Sequence, residues 1–232
     1  MKHILYTRRH VLRSITILPV GFMLAAGARA AQTSSRPACV LSPEMTEGPF
    51  FVDERLHRSD LVAGDTSPGL RDAYPLALAI TFIDVGARCA PVRGMQVDVW
   101  HTDALGNYSD VQGERGRTFC RGYQITDDQG RVAFDTVYPG WYPGRAIHIH
   151  VKARRFDPTG RPTREFTTQL FFDEATNDAV MAMPPYNRRN GRRTSNARDG
   201  IYGNASSLIV RTTRRDDRPG LAGAITLGLD LA

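Results

Sequence analysis

The chain has 232 residues, of which 41% are hydrophobic and 23% charged, and a formal net charge of +6. Five of its 30 basic residues (Lys2, Arg8, Arg9, Arg13 and Arg29) fall within the first 30 positions, where there is no acidic residue, leaving 25 basic against 24 acidic residues in the rest. The basic balance is therefore no argument for nucleic-acid binding, and the remaining length suits a single domain with an adequate core.

The N-terminus reads as a targeting segment. Thr7-Arg8-Arg9-His10-Val11-Leu12 has the form of a twin-arginine motif, an apolar stretch covers residues 15–28, and Ala28-Arg29-Ala30 is an A-x-A cleavage site. The stretch is too short for a stable spanning helix. The sequence predicts a signal peptide over residues 1–30, export to the periplasm or the extracellular space, and no stable membrane insertion after its removal. A polar leader follows over residues 31–45, and one domain over residues 46–232.

Within that domain, residues 53–75 are polar, rich in Gly and Asp, and without period. Residues 76–85 alternate as a strand, and Ala87-Arg88-Cys89-Ala90-Pro91 ends it. Residues 95–101 form a second strand, with Met95, Val97 and Val99 on one face and Gln96, Asp98 and Trp100 on the other. Residues 119–125 and 132–137 read as a hairpin around Asp127-Asp128-Gln129-Gly130. Strands are expected over residues 146–153, 166–172, 207–212 and 224–229. One short helix fits residues 173–183, with Asp173 as N-cap and Pro184 as stop. Short strands separated by turn-rich loops predict an all-β fold, a single-domain β-sandwich with long loops and little helix. The basic run Arg188, Arg189, Arg192, Arg193 and Arg198 lies in a Gly/Asn/Ser-rich stretch and reads as a solvated surface.

Cys39, Cys89 and Cys120 contain no C-x-x-C pair, which argues against a structural zinc. In an exported protein one disulfide is plausible. Cys39 and Cys89 flank irregular or turn segments and are the favoured pair, while Cys120 reads as a buried thiol. Spacing alone does not fix the connectivity.

The chemistry concentrates in Pro139-Gly140-Trp141-Tyr142-Pro143-Gly144-Arg145-Ala146-Ile147-His148-Ile149-His150-Val151. On a strand, His148 and His150 share one face and Ile147, Ile149 and Val151 the other. Two adjacent imidazoles make half of a metal site; taken alone, such a pair on a strand is more often an exposed pair than a ligand pair. Tyr108 and Tyr142 would add hard anionic oxygen donors, which favour Fe(III).

Read in order, Val97-Asp98-Val99-Trp100-His101-Thr102-Asp103-Ala104-Leu105-Gly106-Asn107-Tyr108-Ser109, then Phe119-Cys120-Arg121-Gly122, then the Pro-Gly-Trp-Tyr-Pro-Gly-Arg-x-x-His-x-His run, the chain resembles the intradiol ring-cleavage dioxygenases. The resemblance spans residues 46–173. It implies a non-haem Fe(III) cofactor held by Tyr108, Tyr142, His148 and His150. It also implies a small aromatic diol and O2 as partners, and cleavage of catechol-type diols to muconate-type diacids. Arg145 is implied as the catalytic positive charge, and Gln169 as a hydrogen-bonding residue near the iron. His101 is not a matched ligand and reads as structural, and Asp103 as a shaper of the loop that presents Tyr108. The stretch from Tyr142 to His148 is shorter than in the protocatechuate branch, which implies a more open site.

A cupin-type site needs a glutamate shortly after His-x-His, where this chain has Arg154 and Arg155. An exported β-sandwich binding module without iron catalysis would need none of the four ligands or Arg145. The sequence leaves the oligomeric state open, a homo-oligomer included.

Overall fold

The apolar alternation of residues 76–85 becomes β1 (Pro75–Asp84), whose Leu76, Leu78, Ile80 and Phe82 are all buried on one face. The computed structural model describes residues 39–203 and 205–231. The signal peptide expected over residues 1–30 lies outside the described residues, as does most of the leader. In chain order the elements are α1 (Pro68–Arg71), β1, β2 (Ala90–Pro91), β3 (Gln96–Trp100), β4 (Arg121–Ile125), β5 (Arg131–Val137), β6 (His148–Phe156), β7 (Pro162–Phe171), α2 (Glu174–Met181), β8 (Arg211–Arg214) and β9 (Leu221–Leu229).

They build the expected β-sandwich. In one sheet β1 pairs antiparallel with β5 and β2 and runs parallel to β9, which pairs with β8. The other sheet has the order β4-β3-β6-β7, antiparallel throughout. Val97, Val99, Ile149, Val151, Ala153 and Leu170 of this second sheet share one core with Leu76, Ile80, Phe82, Phe134 and Leu227 of the first. Truncating one of these large side chains to Ala removes apolar burial and leaves a cavity, at a cost of roughly 2–5 kcal/mol.

The far face of the second sheet carries the site. Pairing sets Arg121 beside Trp100, Trp100 beside His150, and His150 beside Gln169. Directly opposed residues point to one face, so these four form a row across all four strands, each at most 2% exposed. A strap over residues 45–56 covers the row. The Met45 N–H donates to Thr167 O, Gln169 donates to Thr46 O at 2.8 Å, and Glu47 pairs with Lys152 at 2.7 Å. Further along, Asp53 pairs with Arg154, which also holds the buried Asp98.

Most expected elements are present, including α2 with Asp173 capping the Thr176 N–H at 2.8 Å. Three details differ. The turn at residues 127–130 is tight, with the Gly130 N–H bonded to Asp127 O at 2.9 Å, but the strands it joins are not partners. β4 pairs with β3 and β5 with β1, so the connection crosses between sheets. Thr126 makes that corner by bonding Met95 through backbone and side chain. Residues 206–208 form a 3-10 turn, and β8 starts later than expected, because Leu208 and Val210 are drawn into the core first. Residues 53–75 hold the short α1, which the Ser67-Pro68 start signals.

The Cys39–Cys89 disulfide is formed, with Cα atoms 5.7 Å apart, and Cys120 is a buried free thiol. Cys120 sits in the turn just before β4.

Candidate metal centre

Four donor atoms from two loops and one strand converge. His148 Nε2 lies 3.0 Å from His150 Nε2, 3.3 Å from Tyr108 Oη and 3.4 Å from Tyr142 Oη. Ligands at about 2.0–2.2 Å from one ion at ordinary coordination angles stand about 2.8–3.6 Å apart, so this spacing fits a single metal ion. The tautomer fits too. His148 Nδ1 donates to Ala146 O at 2.7 Å, which leaves Nε2 as a lone-pair donor. Burial, then the Arg145 charge, pushes the His148 pKa down to about 3, and burial, then His148, holds His150 well below its ordinary value. Two neutral imidazoles facing each other suit a cation between them. Burial also raises both phenols, against which the positive charge of Arg145 acts. Hard phenol oxygens with imidazole nitrogens suit ferric iron. Among the described residues, no group of three or more His, Cys, Asp and Glu side chains offers an alternative centre.

The loops are held in place by local bonds. Asp103 accepts from the Leu105 and Asn107 backbone N–H groups, both at 2.9 Å, and so shapes the turn before Tyr108. Ser109 and Arg121 lock its far side, where Arg121 donates to Ser109 O and Oγ. The Tyr108 loop and the Tyr142 loop are zipped together. The Gly140 N–H donates to Asp103 O at 2.9 Å, and Thr102 Oγ1 donates to Gly140 O at 2.8 Å. Gly106 has φ +80°, and a Cβ there would lie 2.2 Å from Trp141 O, so this contact admits only glycine.

Arg145 aims its guanidinium at the donors. Nη1 is 3.5 Å from His148 Nε2, Nη2 donates to Gln169 Oε1 at 2.5 Å, and Nε donates to Asp199 at 3.0 Å. It is not an ordinary surface arginine, and Gln169 is not a solvated strand glutamine: it is fully buried. All six expected site residues are thus brought together. His101 stays apart as a structural residue, bonded to Thr102 O and Thr136 Oγ1, with burial lowering its pKa to about 4.

Sequence reasoning missed Asp199 and Phe50. Phe50 stacks on Tyr108 with centroids 4.6 Å apart and meets Tyr142 edge-on at 6.4 Å. Its place inside the matched segment was an available signal; Asp199 had none. The basic run is also more than a solvated surface. Arg189 lies over the Trp141 ring at 4.9 Å and donates to Leu105 O, and Arg193 pairs with Glu174 and Asp178.

Comparison with known proteins bears on this arrangement. A family model described as dioxygenase matches residues 46–184. A chlorocatechol 1,2-dioxygenase of a Pseudomonas species is 28% identical over 165 residues, covering 62% of this chain and 57% of that protein. The chain thus spans little more than half the length of this curated relative. Among solved structures, an intradiol ring-cleavage dioxygenase from Tetranychus urticae is 31% identical with a TM-score of 0.72, covering 83% of this chain and 95% of that one. The dioxygenase domain of a carbohydrate-binding fusion protein from Streptomyces sp. SirexAA-E is 28% identical with a TM-score of 0.60, covering 83% and 100%.

Proposed function

Because the chain belongs to the intradiol ring-cleavage dioxygenase family, we propose that it is a non-haem Fe(III) enzyme that cleaves a small catechol-type diol with O2. The product is a muconate-type diacid that retains both atoms of O2. The observation that carries this reading is the convergence of Tyr108 Oη, Tyr142 Oη, His148 Nε2 and His150 Nε2 beneath the Arg145 guanidinium. Fe(III), held by those four, supplies a Lewis acid for the two diol oxygens.

The protein's own groups divide the remaining work. Tyr142 is half-buried where Tyr108 is 6% exposed, so Tyr142 is the tyrosine open to an incoming diol, and as the phenolate it would be when holding Fe(III) its Oη would take up one diol proton and become a neutral phenol. Arg145, fixed by Asp199 and Gln169, holds positive charge where negative charge builds on the ring. Phe50 forms an aromatic wall beside both tyrosines and orients the ring. The strap over residues 45–56 keeps water from the buried imidazoles.

Export by the twin-arginine signal over residues 1–30 is part of the proposal, and the Cys39–Cys89 bridge suits an oxidising compartment. The test is metal analysis and turnover of a catechol panel by the exported protein, with intact mass reporting whether it begins near Ala31. A colourless, zinc-loaded or catechol-inert protein overturns the enzymatic reading, and a retained segment 1–30 overturns the export reading.

A further inference from the structure

Three buried polar atoms, two on the metal-centre face and one on the strap over it, have no hydrogen-bond partner among the described residues: Trp100 Nε1, Arg121 Nη1 and Glu54 Oε1. All three residues line one small, partly enclosed cleft, bounded also by Phe51, Leu56 and Asp98. It offers about 10 Å³ to the centre of a water-sized group, which is the scale of a single water molecule. The chemistry is complementary. Trp100 and Arg121 can only donate, and Glu54 accepts, so a water accepts two hydrogen bonds and returns one. Leaving three such groups unpaired in the interior is costly.

A second observation concerns His150. A metal-binding imidazole ordinarily donates its far N–H to a fixed acceptor, which sets the ring plane. His148 does so through Ala146 O, but His150 Nδ1 is buried without a partner. Its ring instead lies on the Trp100 indole, with centroids 4.7 Å apart and planes 8° from parallel. Phe51 braces the indole edge-on at 4.9 Å. The orientation of His150 therefore depends on the plane of Trp100.

We propose that one water, bound by Trp100 Nε1, Arg121 Nη1 and Glu54 Oε1, fixes the Trp100 indole, and that Trp100 is in turn the positioning residue for His150. The positioning half rests on the metal-centre reading; the water site does not.

Two measurements test it separately. A crystal structure of the mature protein that resolves ordered water should show one within hydrogen-bond distance of all three atoms. An empty space there, or direct pairing of Glu54 with Trp100 or Arg121, overturns the water site whether or not iron is bound. For the positioning role, iron release to a chelator is timed in the holoenzyme. Trp100→Phe, which keeps a ring but loses the N–H, and Glu54→Leu, which loses the acceptor, should release iron about 10-fold faster, with a shifted visible band. Glu54→Gln keeps a carbonyl acceptor and should release iron at nearly the wild-type rate. Should Trp100→Phe not fold, the Glu54 pair still decides. Wild-type release from Glu54→Leu, or equally fast release from Glu54→Gln and Glu54→Leu, overturns the positioning role. A wild-type protein that binds no iron refutes the metal reading and the positioning role together, and leaves the water site to the crystal structure.

Discussion

Asp199 grips Arg145 from 54 residues further along the chain. Its carboxylate accepts from Arg145 Nε at 3.0 Å, from the Ala146 backbone N–H at 2.7 Å and from the Ile201 N–H at 2.8 Å. Its side chain is 1% exposed, and its pKa stays below the ordinary carboxylate value although burial alone would raise it, because the Ala146 and Ile201 N–H groups and Arg145 stabilise the anion. A charged, fully bonded carboxylate thus holds both the guanidinium and the backbone that leads into His148. Gln169 restrains the other end of the same guanidinium. Arg145 is therefore a preorganised charge, which needs no rearrangement when negative charge develops beside it.

Removing that charge should cost rate rather than metal. Arg145→Ala is expected to keep iron and visible colour while kcat falls by roughly 10²-fold or more. Asp199→Asn leaves the arginine in place but loosens it, so a smaller fall of about 10-fold is expected. Steady-state turnover alongside iron content checks both. An Arg145→Ala variant at the wild-type rate would return this residue to a structural role.

The four donors should be separable by colour and by metal content. Tyr108→Phe removes a buried phenol and should bleach or shift the tyrosinate-to-iron absorption. His148→Ala and His150→Ala each remove a donor from β6, and are expected to lose most of the iron. Visible spectra and metal analysis of the three variants decide. A spectrum unchanged in both Tyr108→Phe and Tyr142→Phe would refute the centre.

Stability should fall on acidification through a window set by buried histidine. His101 is neutral in the fold, with a pKa near 4, against an ordinary value of 6.5. Below 6.5 the unfolded chain takes up a proton that the folded protein refuses until about pH 4, so unfolding free energy rises with pH across that window and is level above it. The difference is worth about 3 kcal/mol for this one group. In metal-free protein, His148 and His150 act with the same sign, since burial lowers both. Denaturant unfolding of metal-free protein between pH 4 and 8 should show the slope, reduced by about one proton in His101→Gln. An equal slope in that variant would assign the effect elsewhere.

Much of this was legible in the sequence because the information was local. The period of two in residues 146–153 placed both imidazoles on one face, and the Gly-x-Tyr-Ser and Pro-Gly-Trp-Tyr runs carried the phenols. The Asp173 cap and the α2 it starts were equally local. What was not legible is pairing between distant segments. The turn at residues 127–130 has every hairpin signal, yet the strands beside it belong to different sheets, because partner choice depends on the whole sandwich. Asp199 sits in a loop with no motif, and its role exists only once residues 189–199 fold back on Trp141 and Arg145. Arg154 and Asp98 alternate like surface residues and are buried because the strap lies over them.

The position of ring cleavage should follow from the donor set. A centre that activates O2 through Fe(II) is usually built from two histidines and a carboxylate. Here two phenols take the carboxylate's place at 3.3 and 3.4 Å from His148 Nε2; as phenolates they would favour a ferric ion, which would supply a Lewis acid for the diol rather than a site that activates O2. Cleavage is then expected between the two hydroxylated carbons, giving from catechol a diacid seen only in the ultraviolet. Cleavage beside them gives a yellow semialdehyde. A product spectrum from catechol under air separates the two; O2 uptake of one molecule per ring is expected for both and checks only that the reaction is a dioxygenation. Phe50 adds a graded check on the same assay: Phe50→Ala removes the wall stacked on Tyr108 at 4.6 Å, and should raise KM by about 10-fold with the product unchanged, which is the scale of losing one aromatic contact. A yellow product would overturn the intradiol assignment whatever the behaviour of the variant.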